Sequence, residues 1–368
     1  MSRRPDPPPL RLKRLGNNSA SRLLLARARL AAGQTERAAA EVDDVLRDNP
    51  ECAVAQLLRG LIRSAAGDPA ESVRALELAV RLDDRLHEAW FALAVGRREI
   101  GRIEPALAAA EAALRLDEAS PQYHLMTSEL LAALGRREEA ILACRHALGA
   151  DPALDGGHHH LARLLQETGD LPAALASAVT ARELNPKSAA HPLLLGDLHR
   201  AAGDREAAVR EYQTALRVDP ANSELRTRLA TLFLEMGWTS EALLLLSWAV
   251  KIDPKNGESY AALAQLYASL GRPGEALEML LAAVRLNPLL PHLVDHADSL
   301  ERTLAGAVSP NDRTGRRALT HLVRGIAYSA SRRSAEAAEA LRHALRLDPR
   351  LTEAEQRLQA LLAADHAT

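Results

Sequence analysis

The sequence predicts an all-α solenoid of about nine helix-turn-helix repeats, each 34 residues long, on three observations. Pro50, Pro152, Pro186, Pro220, Pro254 and Pro288 stand at multiples of 34 from one another, with Asp84 and Glu118 in the two places where proline is missing. Small residues recur in the same register wherever the two helices of a hairpin must cross. Glycine recurs where each first helix must stop. A period of this length is the mark of stacked supersecondary units, each too small to bury its own apolar face.

With each repeat numbered from 1 to 34 and the proline at position 32, repeats begin at Ser19, Ala53, His87, Pro121, Asp155, Ala189, Ser223 and Gly257. Position 8 then reads Ala26, Gly60, Ala94, Ser128, Ala162, Gly196, Ala230 and Ala264. Position 20 is alanine or serine throughout, and position 27 is alanine except for Val45. Side chains this short let helix axes come close. Position 15 is glycine in all eight, from Gly33 to Gly271. Glycine there ends the first helix because it enters the left-handed region without a Cβ clash.

These columns resemble the tetratricopeptide repeat from Ser19 to the end of the chain. A ninth copy runs from Ala318 to Leu351, with Gly325, Ala337, Ala344 and Pro349 in register and Arg332 replacing the glycine of position 15. The family's aromatics are sparse: position 4 carries tryptophan only at Trp90, and position 11 carries aromatics only at Phe233, Tyr267 and Tyr328. The resemblance implies a right-handed superhelix whose first helices line a concave groove with positions 2, 5, 9, 12 and 13.

Taken in order, residues 1–18 are proline-rich and basic and form an expected disordered tail. Residues 19–290 are eight repeats. The proline spacing then jumps from 34 to 61 between Pro288 and Pro349, which sets off residues 291–317 as an insert. Within it, His292 to Leu304 reads as one unpaired helix. Ala305 to Gly315, holding Ser309, Pro310, Asn311, Asp312 and Gly315, reads as an exposed loop. Residues 318–351 are the ninth repeat and residues 352–368 a solvating terminal helix. Pro69, Pro105, Pro172 and Pro273 all fall in the first turn of a second helix, where no amide bond is lost. Gly156 and Gly157 are expected to delay the start of repeat 5.

Composition narrows the function. A net charge of −2 argues against bulk attraction to nucleic acid. Arginine is far commoner than lysine, which occurs four times, and with the abundant alanine this points to a GC-rich bacterial genome. Cys52 and Cys144 are too few and too far apart for a disulfide framework. Met1 to Asn18 has prolines where a signal peptide needs an apolar stretch, and no uncharged apolar run is long enough to span a bilayer. The expectation is a cytoplasmic protein without membrane insertion.

Several histidines invite a metal reading. His158, His159 and His160 point about 100° apart on a helix, so they cannot share one ion. His124 and His158 share a column, and His292 and His296 share a face near Asp295, but neither set offers the three or four ligands that zinc needs. No phosphate-binding glycine loop, Cys-x-x-Cys or nucleophile elbow is present. No catalytic residue, metal or cofactor is therefore assigned, and the chain is read as non-catalytic.

Carried over by register, the groove positions form an apolar stripe in repeats 1–4 centred on Val54, Leu57, Leu61, Phe91, Val95 and Leu125. Repeats 5–8 give a mixed polar set with Arg163, Glu167, Asp197, Arg200, Glu224, Arg228, Glu235 and Gln265. An apolar patch of that extent marks a contact site. The expected occupant is a protein or peptide partner. A homodimer, or Leu10, Leu12 and Leu15 of the tail, would cover it otherwise. Arg29, Arg63 and Arg97 share position 11 and offer a ladder to an acidic partner, unless they reach local carboxylates. The chain thus reads as a protein-protein interaction scaffold or adaptor. The alternative is a substrate-recruiting accessory subunit of a separately encoded enzyme such as a glycosyl- or sulfotransferase.

Overall fold

Each glycine at position 15 ends a helix, with φ between 69° and 84° from Gly33 to Gly271. The computed structural model describes residues 17–307 and 310–365, so the expected tail lies outside the described residues except for Asn17 and Asn18, which open the first helix. Two compact units divide between Asn185 and Pro186.

The first unit holds α1 (Asn17–Ala31), α2 (Thr35–Asp48), α3 (Ala53–Ala65), α4 (Pro69–Leu82), α5 (His87–Glu99), α6 (Ile103–Leu116), α7 (Pro121–Ala133), α8 (Arg137–Ala150), α9 (Asp155–Glu167) and α10 (Leu171–Leu184). The second holds α11 (Ala190–Ala201), α12 (Arg205–Val218), α13 (Ser223–Glu235), α14 (Thr239–Ile252), α15 (Gly257–Ser269), α16 (Pro273–Leu286), α17 (Leu293–Ala307), α18 (Pro310–Ala330), α19 (Ser334–Leu347) and α20 (Thr352–Asp365). Among the described residues no strand occurs.

Within the first unit each odd-numbered helix packs on the even-numbered helix after it, and each of α2, α4, α6 and α8 packs on the next first helix. The second unit follows the same rule as far as α16. Close crossing explains the small residues at position 8. A Cβ added to Gly60 would stand 2.5 Å from Leu76 Cγ, and one added to Gly325 would stand 2.6 Å from Leu341 Cδ2. Gly196 faces the ring of the fully buried Tyr212 in the same way. In repeat 4 the pair is Ser128 and Cys144, and Ser128 Oγ donates to Ala140 O at 2.7 Å. Burial there pushes the Cys144 thiol up to about 11.

Position 4 fastens four consecutive repeat junctions in the first unit. Gln56 Nε2 donates to Pro50 O at 3.3 Å and Trp90 Nε1 to Asp84 O at 2.8 Å. His124 Nε2 lies 2.9 Å from Glu118 O and His158 Nε2 3.1 Å from Pro152 O, which a ring N–H at Nε2 satisfies. Each accepting carbonyl belongs to position 32 of the repeat before. These carbonyls belong to exposed turn residues, so each bond ties the next repeat's first helix to the turn before it, and the column tolerates three residue types that share a side-chain N–H.

Gly156 and Gly157 do not delay repeat 5, because α9 already begins at Asp155. A Cβ on Gly157 would meet Leu148 Cδ2 at 2.9 Å, so glycine there permits close packing on the preceding helix.

The insert differs from expectation. Its first helix is not unpaired: α17 buries Leu293, Ala297 and Leu300, spaced four and three residues apart, in a core with Leu280 and Val284 of α16 and Leu322 and Ile326 of α18. The expected loop over Ala305–Gly315 is helix on both sides, since α17 reaches Ala307 and α18 starts at Pro310. Proline suits the first position of a helix as well as it suits a turn, and the apolar residues of α18 anchor the turns downstream. Despite the insert, α18 still packs on α16, as a ninth repeat must pack on the eighth. The segment after α19 is α20, whose Ala354 is buried and whose Leu358 packs on the same core.

Candidate functional site

In the first unit α3 packs between α1 and α5, so part of its first-helix face is consumed by the seams. Val54 and Leu57 are 7% and 2% exposed, which corrects their reading as groove contacts: they belong to the core. Position 5 is equally buried at Leu23 and Leu322. Leu61, Phe91, Val95 and Leu125 are half-buried. Positions 5 and 9 lie one turn apart, so sequence alone does not tell which of them the neighbouring first helix covers.

Tyr123, which the column pattern did not single out, supports the stripe. Its ring lies 4.8 Å from that of Phe91 and 5.8 Å from that of His87, and its hydroxyl is 2.8 Å from His87 Nδ1. Burial raises its pKa above the usual tyrosine range, and the nearby Glu88 and Asp117 carboxylates add to the rise, so the phenol stays neutral. Glu88 is itself 6% exposed, and its Oε2 accepts no hydrogen bond among the described residues, lying 3.6 Å from His87 Nε2. Its position 2 is a groove column, the one signal that would have pointed to it. At the edge of the stripe Arg98 pairs with Glu129 of the next repeat.

The arginine ladder is largely spent on local contacts. Arg29 pairs with Glu41 at 2.7 Å and also donates to Arg37 O, while Arg97 pairs with Glu77 at 3.0 Å and donates to Pro105 O. Arg63 is exposed and has no carboxylate partner among the described residues. One free guanidinium is not a ladder.

The mixed polar set is also internally paired. In the first unit Arg137 holds Glu167 at 3.0 Å. In the second, Asp197 accepts from Tyr212 Oη at 2.6 Å and from Arg228 at 3.0 Å, Arg228 also holds Glu224 at 2.8 Å, and Arg200 holds Glu235. The Asp197–Arg228, Arg200–Glu235 and Arg137–Glu167 pairs each join neighbouring repeats, so these charges tie repeats together as well as colouring the face. Gln265 is exposed.

Among the described residues no group of three His, Cys, Asp or Glu side chains is arranged to hold a metal ion, and no helix is long and apolar enough to cross a membrane. His124 stacks on His146 at 5.5 Å and is engaged at the repeat junction.

Stacked helical hairpins with an apolar first-helix face in one unit and an ion-paired one in the other define a helical-repeat protein. Three family models, each described as tetratricopeptide repeat, match residues 23–87 and 91–155, residues 158–324 and residues 320–351. The chain belongs to the tetratricopeptide repeat family. Among solved structures, a tetratricopeptide repeat protein from Parabacteroides merdae is 16% identical, covering 68% of this chain and 98% of its own, with a TM-score of 0.56. PilW, a widely conserved type IV pilus biogenesis factor, is 20% identical over 58% of this chain and 99% of its own, with a TM-score of 0.55. Pseudomonas aeruginosa PilF is 18% identical over 58% and 96%, with a TM-score of 0.50. At such identities the likeness is one of fold. No curated protein matches the chain.

Proposed function

We propose that the chain is a non-catalytic adaptor that holds a partner segment against the first helices of repeats 1–4. The observation that supports this is the run of half-buried apolar side chains Leu61, Phe91, Val95 and Leu125 on α3, α5 and α7. Half-buried apolar groups at regular spacing gain free energy when a second apolar surface removes them from water. A partner with apolar anchors at helical or extended spacing fits them, an amphipathic helix or an extended peptide. Phe91 is the centre of the stripe, held at its angle by Tyr123. Aromatic anchors in such settings carry a large share of binding energy.

Leu61→Glu with Val95→Glu tests this reading, since both lie at position 9 and neither is core. The doubly substituted chain is expected to keep its helical circular dichroism and to bind the partner at least about 30-fold more weakly. A folded variant that recovers every partner of the parent would overturn the reading. Leu57→Glu serves as the contrast and is expected to unfold its repeat, because it places an unpaired charge in the core. If the parent sediments as a dimer and the double variant as a monomer, the stripe is covered by a second copy. If removing residues 1–18 tightens partner binding, the tail competes for it.

A further inference from the structure

One second helix of the second unit turns large apolar side chains to solvent. The inner side of α14 is Ala242, Leu246 and Ala249, all fully buried. On its other side Leu244, Trp248 and Ile252, each one turn from the next, are 62%, 53% and 37% exposed. The repeat itself does not call for them, because in the columns of Leu244 and Trp248 the neighbouring second helices carry Arg210 and Thr214 on α12 and Glu278 and Ala282 on α16. Glu241 and Lys251 stand toward the two ends of the same face, both exposed and neither with an ion-pair partner among the described residues. At 100° per residue, Glu241, Leu244, Trp248, Lys251 and Ile252 fall within a sector of about 100°. Lys251 Nζ lies 5.5 Å from the centroid of the Trp248 ring, so ammonium and indole are already side by side.

We propose that this face is covered by α14 of a second copy of the chain, the two helices antiparallel about a two-fold axis at the level of Leu246. The order of side chains is self-complementary about that residue: Leu244 and Trp248 stand two places before and after it, and Glu241 and Lys251 five places before and after it. An antiparallel pair therefore sets each Trp248 on Leu244 of the other copy and each Glu241 against Lys251 of the other copy, which is the condition an isologous two-fold contact must meet. A parallel pair would bring Glu241 to Glu241 and Lys251 to Lys251, so the same charges select against it. Covering Trp248 and Leu244 supplies the attraction, with an aromatic anchor at the centre. Glu241, in the middle of the sector, disfavours an anionic bilayer as the occupant. One helix face is smaller than a standard interface of about 1,200–2,000 Å², so the dimer is a weak one, with a dissociation constant in the micromolar range. The face lies wholly within the second unit, and its pairing does not depend on the stripe of repeats 1–4.

The test is sedimentation of the full chain over a concentration series from about 1 to 200 µM, chosen to bracket a micromolar constant. The parent is expected to pass from monomer to dimer within that range. Leu244→Ser with Trp248→Ser should leave only monomer, with circular dichroism showing the helical signal unchanged, since both side chains are exposed. Glu241→Lys or Lys251→Glu alone should weaken association about tenfold by turning two attractive contacts into repulsive ones. The two reversals combined in one chain should restore it, because exchanged charges still meet in an antiparallel pair. A parent that stays monomeric throughout would overturn the second copy as occupant and leave the face to a lipid surface or a different protein. A dimer that survives Leu244→Ser with Trp248→Ser would overturn the site. Single reversals without effect, or a combined reversal that does not restore association, would overturn the antiparallel register. Leu61→Glu with Val95→Glu should leave the dimer intact; a dimer lost in that variant would lie on the stripe and overturn the assignment to α14.

Discussion

Arg332 is the one place where the repeat's glycine is replaced and the backbone does not change to suit. It keeps φ at 59°, in the left-handed region that the other eight repeats fill with glycine. A side chain there costs roughly 1–2 kcal/mol, partly offset by its smaller loss of backbone entropy. Arg332→Gly is therefore expected to stabilise the second unit by about 0.5–1 kcal/mol, read as a higher urea midpoint with an unchanged slope. An unchanged or lower midpoint would mean that the arginine makes compensating contacts. The glycine column was legible in the sequence because a positive φ has so few solutions. Position 4 was harder: glutamine, tryptophan and histidine share no size or hydropathy, only an N–H that reaches the previous repeat's carbonyl. Leu57 and Leu61 were harder still, since a seam residue and a face residue four positions apart obey the same helical period.

At the scale of the element, the insert shows what composition hides. Turn-forming residues at 309–315 suggested a loop, but proline at a helix start and an apolar period further along outweigh them. Arg316 and Arg317 therefore lie in helix, and Arg317 pairs with Glu301 of α17 at 3.0 Å. Trypsin is expected to spare both while the second unit is folded; rapid early cleavage there would restore the loop. The same seam carries a pH dependence. His321 of α18 lies 3.7 Å from Glu301 of α17, beside Arg317 and Arg324 of its own helix, with Asp298 of α17 paired to Arg324 and His343 of α19 at a ring distance of 4.1 Å. Burial pushes it down to about 4, Glu301 opposes that fall, and Arg324, His343 and Arg317 add to it. The imidazole is thus neutral when folded and takes a proton more readily when unfolded. Stability is complete above about pH 6.5, the ordinary histidine value, and is lost progressively as pH falls to about 4. The expected loss is about 2–3 kcal/mol across that interval, seen as a falling unfolding midpoint for the second unit. His321→Leu should flatten the curve between pH 6.5 and 4, and an equally steep curve in that variant would assign the effect elsewhere.

On the scale of the whole molecule, stability is a sum of neighbouring interfaces. The division at Asn185 and Pro186 leaves each unit with its own set of hairpins and its own buried core. Residues 17–185 and 186–365, expressed separately, are expected each to give a helical spectrum and a cooperative thermal transition. Loss of helix in either would mean that it depends on the other. The number of repeats, their register and the family were all readable from periodicity, which is a property of the chain as a whole. The exposure of the first-helix face was readable only in part, because burial depends on which helices flank each first helix and the repeat pattern repeats that information identically for positions that differ in exposure. The inter-repeat ion pairs, with partners 30 to 35 residues apart, follow from the same geometry and become visible once neighbouring first helices are placed side by side.

The central claim, that partners dock on the first-helix face of repeats 1–4, is tested most directly by site-specific photo-crosslinking in cells. A photoreactive phenylalanine analogue would be placed singly at Leu61, Val95 or Leu125, and at the exposed outer-face residues Leu142 and Leu244 as controls. One shared crosslinked partner is expected from the first three positions and none of it from the last two. Crosslinks to that partner from Leu142 or Leu244, with none from Leu61, Val95 and Leu125, would contradict it.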